Sequence, residues 1–146
     1  MTATADIPRT RQQRMLQLAI KNVAEVRDKP AQVKDIYGGL CHKFPVLVRS
    51  CGLCQALAFV EAKTESKDQH RQTAYKLLRN HILTVLREEN LVESAVTAEQ
   101  LREVLAELDM RRYTLATRVL LRAWVFYKRL AEAVLGVESS QGAEVG

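Results

Sequence analysis

Apolar residues recur at helical spacing along most of this chain, and no sustained segment alternates apolar with polar positions as a strand would. From Arg9 to Asp28 the positions Leu16, Ala19, Ile20, Val23 and Val26 share one side of a predicted helix. Lys29-Pro30 ends it, because the residue before a proline is pushed out of the α region. A second helix is predicted from Ala31 to about Lys43, with Val33, Ile36, Tyr37 and Leu40 inward. Gly38-Gly39 weakens that helix, a cost accepted where another backbone comes close. Pro45 kinks or restarts it, and it continues to about Ser50. Gly52 forms an elbow before a third helix, Leu53 to Lys63, whose first turns are apolar nearly all round and therefore buried.

After a polar linker, Thr64 to Asp68, a fourth helix is predicted from Gln69 to Glu89, with Ala74, Leu77, Leu78, Ile82, Val85 and Leu86 facing the core. Thr97 followed by Gln100 is a capping-box pattern for a short acidic helix, Ala98 to Leu108. The last helix runs from Met110 to Leu135, with Gly136 as its C-cap. Tyr113, Leu120, Trp124, Tyr127 and Leu130 form its core face, and Trp124 is expected to be structural. The prediction is an all-α fold, a compact single-domain bundle of five to six helices over residues 9–136. A flexible arm over 1–8 and a disordered tail over 137–146 flank it.

A length of 146 residues suits one domain with a sizeable core. Only 5% of residues are aromatic, so that core must be built from Leu, Val and Ala, which favours helices packed on helices. No run reaches the length of a membrane span and no signal-peptide core is visible, so a cytoplasmic protein without a membrane partner is expected. The net charge of +5 is unevenly spread: +8 up to Arg87, −6 from Glu88 to Asp109, and +3 beyond. Such a division points to a polyanion on one face and a different partner on another.

The chemistry is concentrated on the last helix. Arg111, Arg118, Arg122 and Arg129 are spaced 7, 4 and 7 apart. At roughly 100° per residue they lie within about 20° of one line, and they span about 27 Å. Guanidinium forks grip phosphate oxygens, so a row of this length suits successive phosphates of a nucleic-acid strand. Arg112 and Lys128 widen the row. A second basic set comprises Lys63, Lys67, Arg71, Lys76 and Arg79. A third surrounds the N-terminus at Arg9, Arg11, Arg14 and Lys21, and Lys43 and Arg49 flank Pro45. No sequence-reading motif accompanies them, so contact would follow the backbone rather than the bases.

Cys51-x-x-Cys54 with Cys41-His42 supplies four nominal zinc ligands. The apolar setting favours cysteines packed as small hydrophobes, and neither metal nor cofactor is expected. His42, His70 and His81 form no ligand cluster, with His70 and Asp68 expected on the surface. No nucleotide-binding, zinc-protease or serine-hydrolase motif is present, so the chain gives no grounds for an enzyme.

The stretch Phe44 to Phe59 reads FPVLVRSCGLCQALAF and the stretch Ala123 to Leu135 reads AWVFYKRLAEAVL. Together they resemble the small subunit of the type III-B CRISPR RNA-targeting effector, the Cmr complex. The resemblance covers roughly Arg9 to Leu135 and lies in the order of elements: a leucine-rich helix, a proline, the GL-QALAF elbow, and a last helix bearing Trp, Tyr and Lys-Arg. Cys51 stands where that family tends to carry a small polar residue. The resemblance implies a non-catalytic subunit in several stacked copies, packed on other Cmr subunits and lining a basic groove for guide RNA and target RNA in antiviral defence. Two alternatives stay open on the residues alone. One is a helical protein–protein adaptor docking through the acidic segment. The other is a helical DNA-binding regulator, although the helix after Gly52 is too apolar to lie in a groove.

Overall fold

The computed structural model describes residues 7–138, and all its regular structure is helical. Six α-helices follow one another: α1 Arg11–Arg27, α2 Ala31–Cys51, α3 Leu53–Lys63, α4 Gln69–Glu88, α5 Leu101–Glu107 and α6 Met110–Leu130. A 3-10 turn, Ala98–Gln100, leads into α5, and a π-helical turn, Ala131–Leu135, extends α6. α2 is the central element, packed on α3, α4 and α6, while α1 lies along α6. Most of the expected arm and nearly all of the expected tail fall outside the described residues.

α1 begins two residues later than the apolar pattern suggested because a capping box sets its start. The Thr10 N–H donates to Gln13 Oε1 at 2.8 Å, and the Gln13 N–H donates to Thr10 Oγ1 at 3.1 Å. Its buried face is Met15, Ala19, Asn22, Val23 and Val26, whereas Ile20, expected inside, is 51% exposed. The helix is rolled so that Asn22 points inward, where its amide donates to Tyr127 Oη at 2.6 Å and to Thr84 Oγ1 at 2.9 Å.

α2 is one helix of 21 residues through both Gly38-Gly39 and Pro45. A proline inside a helix forfeits a backbone hydrogen bond at a cost of about 3 kcal/mol. Tyr37, Leu40, Phe44 and Val48 are buried on either side of it, and their burial holds the helix together across the break. The close approach expected at the glycine pair is made by the chain's own C-terminal end. A Cβ at Gly38 would lie 2.5 Å from Val137 Cβ. Val137, expected as the first residue of the tail, is instead 1% exposed and part of the fold. Gly136 caps the preceding turn at φ 72°, in the left-handed conformation expected of a C-cap.

Gly52 closes α2 through its N–H to the Val48 carbonyl (2.9 Å) and opens α3 through its own carbonyl to the Ala56 N–H (3.0 Å). It does so at φ 88° and ψ 162°, a conformation essentially restricted to glycine. An added Cβ would meet only Tyr113 Oη, at an ordinary 3.7 Å. The constraint is therefore one of conformation, not of space.

α4 starts at Asp68, whose carboxylate accepts from the backbone N–H groups of His70 and Arg71. The expected helix from Ala98 to Leu108 is split into the 3-10 turn and α5, with the Thr97 N–H held by Gln100 Oε1 at 3.0 Å. Trp124 is fully buried, stacked on Tyr127 at 4.1 Å and meeting Phe44 edge-on at 5.1 Å. Beside it runs a polar seam. Tyr37 Oη lies 2.6 Å from His81 Nδ1, and His81 Nε2 lies 3.0 Å from Glu25 Oε1. A neutral ring protonated on Nε2 satisfies both, accepting from tyrosine and donating to the carboxylate. Burial pushes the His81 pKa below its usual 6.5, against the opposing pull of Glu25.

The two glycines should respond differently to substitution. Gly52→Ala should destabilise by about 1–3 kcal/mol through backbone strain alone. Gly38→Ala should also destabilise, but through collision, so combining it with Val137→Gly should cost no more than Val137→Gly by itself. Thermal melts of the three single variants and the double variant check this, and simple additivity at Gly38 and Val137 would refute the contact.

Because the folded state binds a proton at His81 less readily than the unfolded chain, its contribution is complete above pH 6.5 and is lost as pH falls through the lowered folded value. Melts between pH 7.5 and pH 5 should show a slope of at most about 1.4 kcal/mol per pH unit from this one group. The His81→Gln variant should show a flatter profile; an identical profile would remove His81 as its source.

Candidate nucleic-acid interface

α6 opens at Asp109, whose carboxylate accepts the Arg112 N–H at 2.8 Å. It buries Ala116, Val119, Leu120, Ala123, Trp124 and Tyr127, which leaves one face to solvent along its whole length. Arg111, Arg118, Arg122 and Arg129 are all exposed on that face. None of the four has an ion-pair or hydrogen-bond partner among the described residues. Lys128 is half-buried beside them, and Arg112 is exposed but donates to the Asn90 carbonyl at 3.3 Å. Apolar side chains are interleaved with the row: Met110 is 83% exposed, Leu115 44% and Val125 49%. The face thus offers guanidinium donors with aliphatic surface between them.

The start of α6 is tied to the elbow, since the Cys54 N–H donates to Tyr113 Oη at 3.0 Å. One of the orphan donors at the α3 N-terminus is satisfied in this way, and the direction of α3 is fixed against α6. Pro45 is buried within α2.

The other basic residues singled out from the sequence separate into distinct groups. Arg49 and Lys76 are exposed, and Arg71 and Lys43 are half-buried. Arg79, expected at the interface, is instead buried at 8% exposure and lies between Glu61 (3.8 Å) and Glu99 (3.5 Å). It is an internal clamp joining α4 to α3 and to the turn before α5. Among the N-terminal cations, Arg11 pairs with Glu89 at 3.3 Å and Arg14 donates to the Arg9 carbonyl at 2.8 Å.

The acidic segment is likewise part-used. Glu89, Glu99 and Glu103 pair with Arg11, Arg79 and Arg102. Glu88, Glu93 and Glu107 are exposed without an ion-pair partner among the described residues. Glu93 and Glu107 line a groove with Asp109, Arg87 and Arg112.

The cysteines divide unexpectedly. Cys41 is buried, as its apolar surroundings suggested, but Cys51 and Cys54 are both exposed at the elbow. The thiols flank Gly52 on the outer side of the turn because Leu53 takes the inward position. No group of three or more His, Cys, Asp or Glu residues is placed to hold a metal ion among the described residues. No helix among them is long and apolar enough to cross a membrane.

The described residues form a six-helix, all-α fold whose last helix presents an arginine-lined outer face. Comparison with known proteins is specific. Residues 11–134 match the family model described as CRISPR-associated protein (Cas_Cmr5). The CRISPR system Cmr subunit Cmr5 of Thermus thermophilus is 34% identical over 127 residues, covering 87% of this chain and 97% of the relative. A crystal structure of a CRISPR-associated Cmr5 family protein from the same organism superposes with a TM-score of 0.68 at 33% identity, covering 89% of this chain and 100% of the other. The chain belongs to the Cmr5 family, the small subunits of type III-B CRISPR Cmr complexes.

Proposed function

We propose that this chain is a non-catalytic, architectural subunit of its Cmr complex, working in the cytoplasm and holding the backbone of a guide RNA–target RNA duplex along the outer face of α6. The observation that carries this reading is the row Arg111, Arg118, Arg122 and Arg129: exposed, aligned and unneutralised among the described residues. Phosphates taken at guanidinium forks need no particular base, which agrees with the absence of any base-reading motif. Arg49, Lys76, Arg71 and Lys43 extend basic surface onto other helices, while Arg79 drops out because its charge is spent internally. Copies stack head to tail, the exposed Glu88, Glu93 and Glu107 of one meeting basic surface of the next in a heterologous contact. Cleavage falls to other subunits of the complex.

A second reading has its own observation. Met110, Leu115 and Val125 leave exposed apolar area among the arginines, as a surface that packs on another protein subunit would. The two readings differ in what charge reversal does.

Replacing Arg118 and Arg122 together by Glu should lower retention of target RNA by the assembled complex and leave helical content unchanged. Each lost phosphate contact removes about 0.7–0.9 from the slope of log K against log salt. RNA retention and salt slope measured on complex that still contains the variant check this. Unchanged binding in an intact complex would remove α6 as the RNA face; loss of the subunit from the complex would favour the packing reading.

A further inference from the structure

α2, α3 and α4 build a second cationic patch, and an aromatic ring lies at its centre. Lys43 Nζ, from α2, stands 5.0 Å from the centroid of the Phe59 ring, and Lys63 Nζ, from the end of α3, stands 5.7 Å from it. Phe59 is half-buried against the core, and Tyr75 of α4 braces it edge-on at 6.0 Å. Arg71 lies one turn before Tyr75 on α4. No carboxylate side chain pairs with Lys43, Lys63 or Arg71 among the described residues.

The ring is anchored, and the lysine cations are carried on flexible stems. Phe59 is held by the core behind it, whereas each ammonium sits on a flexible four-carbon stem and is drawn to the ring by a weak cation–π attraction. An incoming flat base can displace one ammonium from the ring, which leaves that ammonium free to meet a phosphate. Such a pairing of an aromatic platform with adjacent cations is how single-stranded nucleic acid is held without regard to sequence. A duplex presents its phosphates but keeps its bases stacked inside, so it can use the cations and not the ring.

We infer that Phe59, flanked by Lys43 and Lys63 and with Arg71 on the neighbouring α4, is a stacking site for an unpaired RNA base, separate from the α6 row. The inference rests on the RNA-binding reading above and adds that the protein distinguishes single strands from duplex.

The test uses the full chain at low salt with a labelled RNA of about 12 nucleotides, a length within the usual site sizes. The same strand is measured alone and annealed to its complement. Phe59→Leu keeps an apolar filler but removes the π face; Phe59→Tyr keeps the ring. Phe59→Leu should weaken single-strand binding roughly tenfold, as expected for loss of one stacked base, and leave duplex binding unchanged. Phe59→Tyr should bind as the parent does, and melts should show both variants folded. Irradiation of a bromouridine-substituted strand should cross-link to the peptide containing Phe59.

Equal loss on single strand and duplex, or no loss in Phe59→Leu, would overturn the site. The Arg118→Glu, Arg122→Glu variant separates the two ideas. If it abolishes duplex binding while Phe59→Leu changes nothing, the RNA reading stands and the stacking site falls. If the parent chain binds neither form of RNA at low salt, both fall together.

Discussion

The buried amide of Asn22 donates to Tyr127 and Thr84 at once, and so fixes how α6 is rolled against α1 and α4. At roughly 100° per residue, Arg111, Arg118, Arg122 and Arg129 project between about 140° and 180° away from Tyr127 around the α6 axis. Pinning one phenol inward therefore turns the whole arginine row outward. A buried donor or acceptor left without its partner costs about 1–3 kcal/mol, so alternative rolls of α6 are disfavoured more strongly than apolar packing alone would achieve. The Tyr37–His81–Glu25 seam does the same for α2 against α4 and α1. Interior polarity thus decides which residues the exterior displays.

Charge follows a similar division between inside and outside. Arg79, Arg102 and Arg11 have carboxylate partners that fasten α3, α4, the turn before α5, and α1 to one another. These pairs engage Glu89, Glu99 and Glu103, three of the seven acids between Glu88 and Asp109, a segment that looked in the sequence like a block wholly available to a partner. Cations without a carboxylate partner among the described residues include the outer row of α6 and Lys43 and Lys63 beside Phe59. Two surfaces built from different helices are left basic by the same internal neutralisation.

Helix order was legible because the apolar spacing, the Pro30 stop and the Gly52 elbow act locally. What escaped depends on contacts across the fold. Ile20 and Asn22 exchange their expected places because hydrogen-bond partners on α4 and α6 outweigh the aliphatic preference of α1. The start of α1 is an exception, since Thr10 and Gln13 carry a capping box readable from the sequence itself. Pro45 reads as a break, yet burial on both sides carries α2 through it. Arg79 is indistinguishable in sequence from its exposed neighbours, since its partners Glu61 and Glu99 come from two other segments. Phe59 falls in the turns of α3 read as buried, yet it is only half-buried and has Lys43 and Lys63 beside its ring. The α6 row was visible in full because it needs nothing but helical periodicity.

Within that row, Arg118 and Arg122 stand four residues apart on one helix, where like charges repel by about 0.2–0.5 kcal/mol. A glutamate at either position would turn repulsion into attraction of similar size, and nothing in the packing of α6 forbids it, because both side chains are exposed. Elsewhere the chain does place acids beside its arginines: Arg79 has two and Arg102 has two. On the α6 face no internal acid among the described residues relieves that repulsion. A polyanion laid along α6 would remove it, and would do so at several arginines at once over about 27 Å. On the proposed function, the RNA backbone supplies from outside the chain the neutralisation that this face lacks within it.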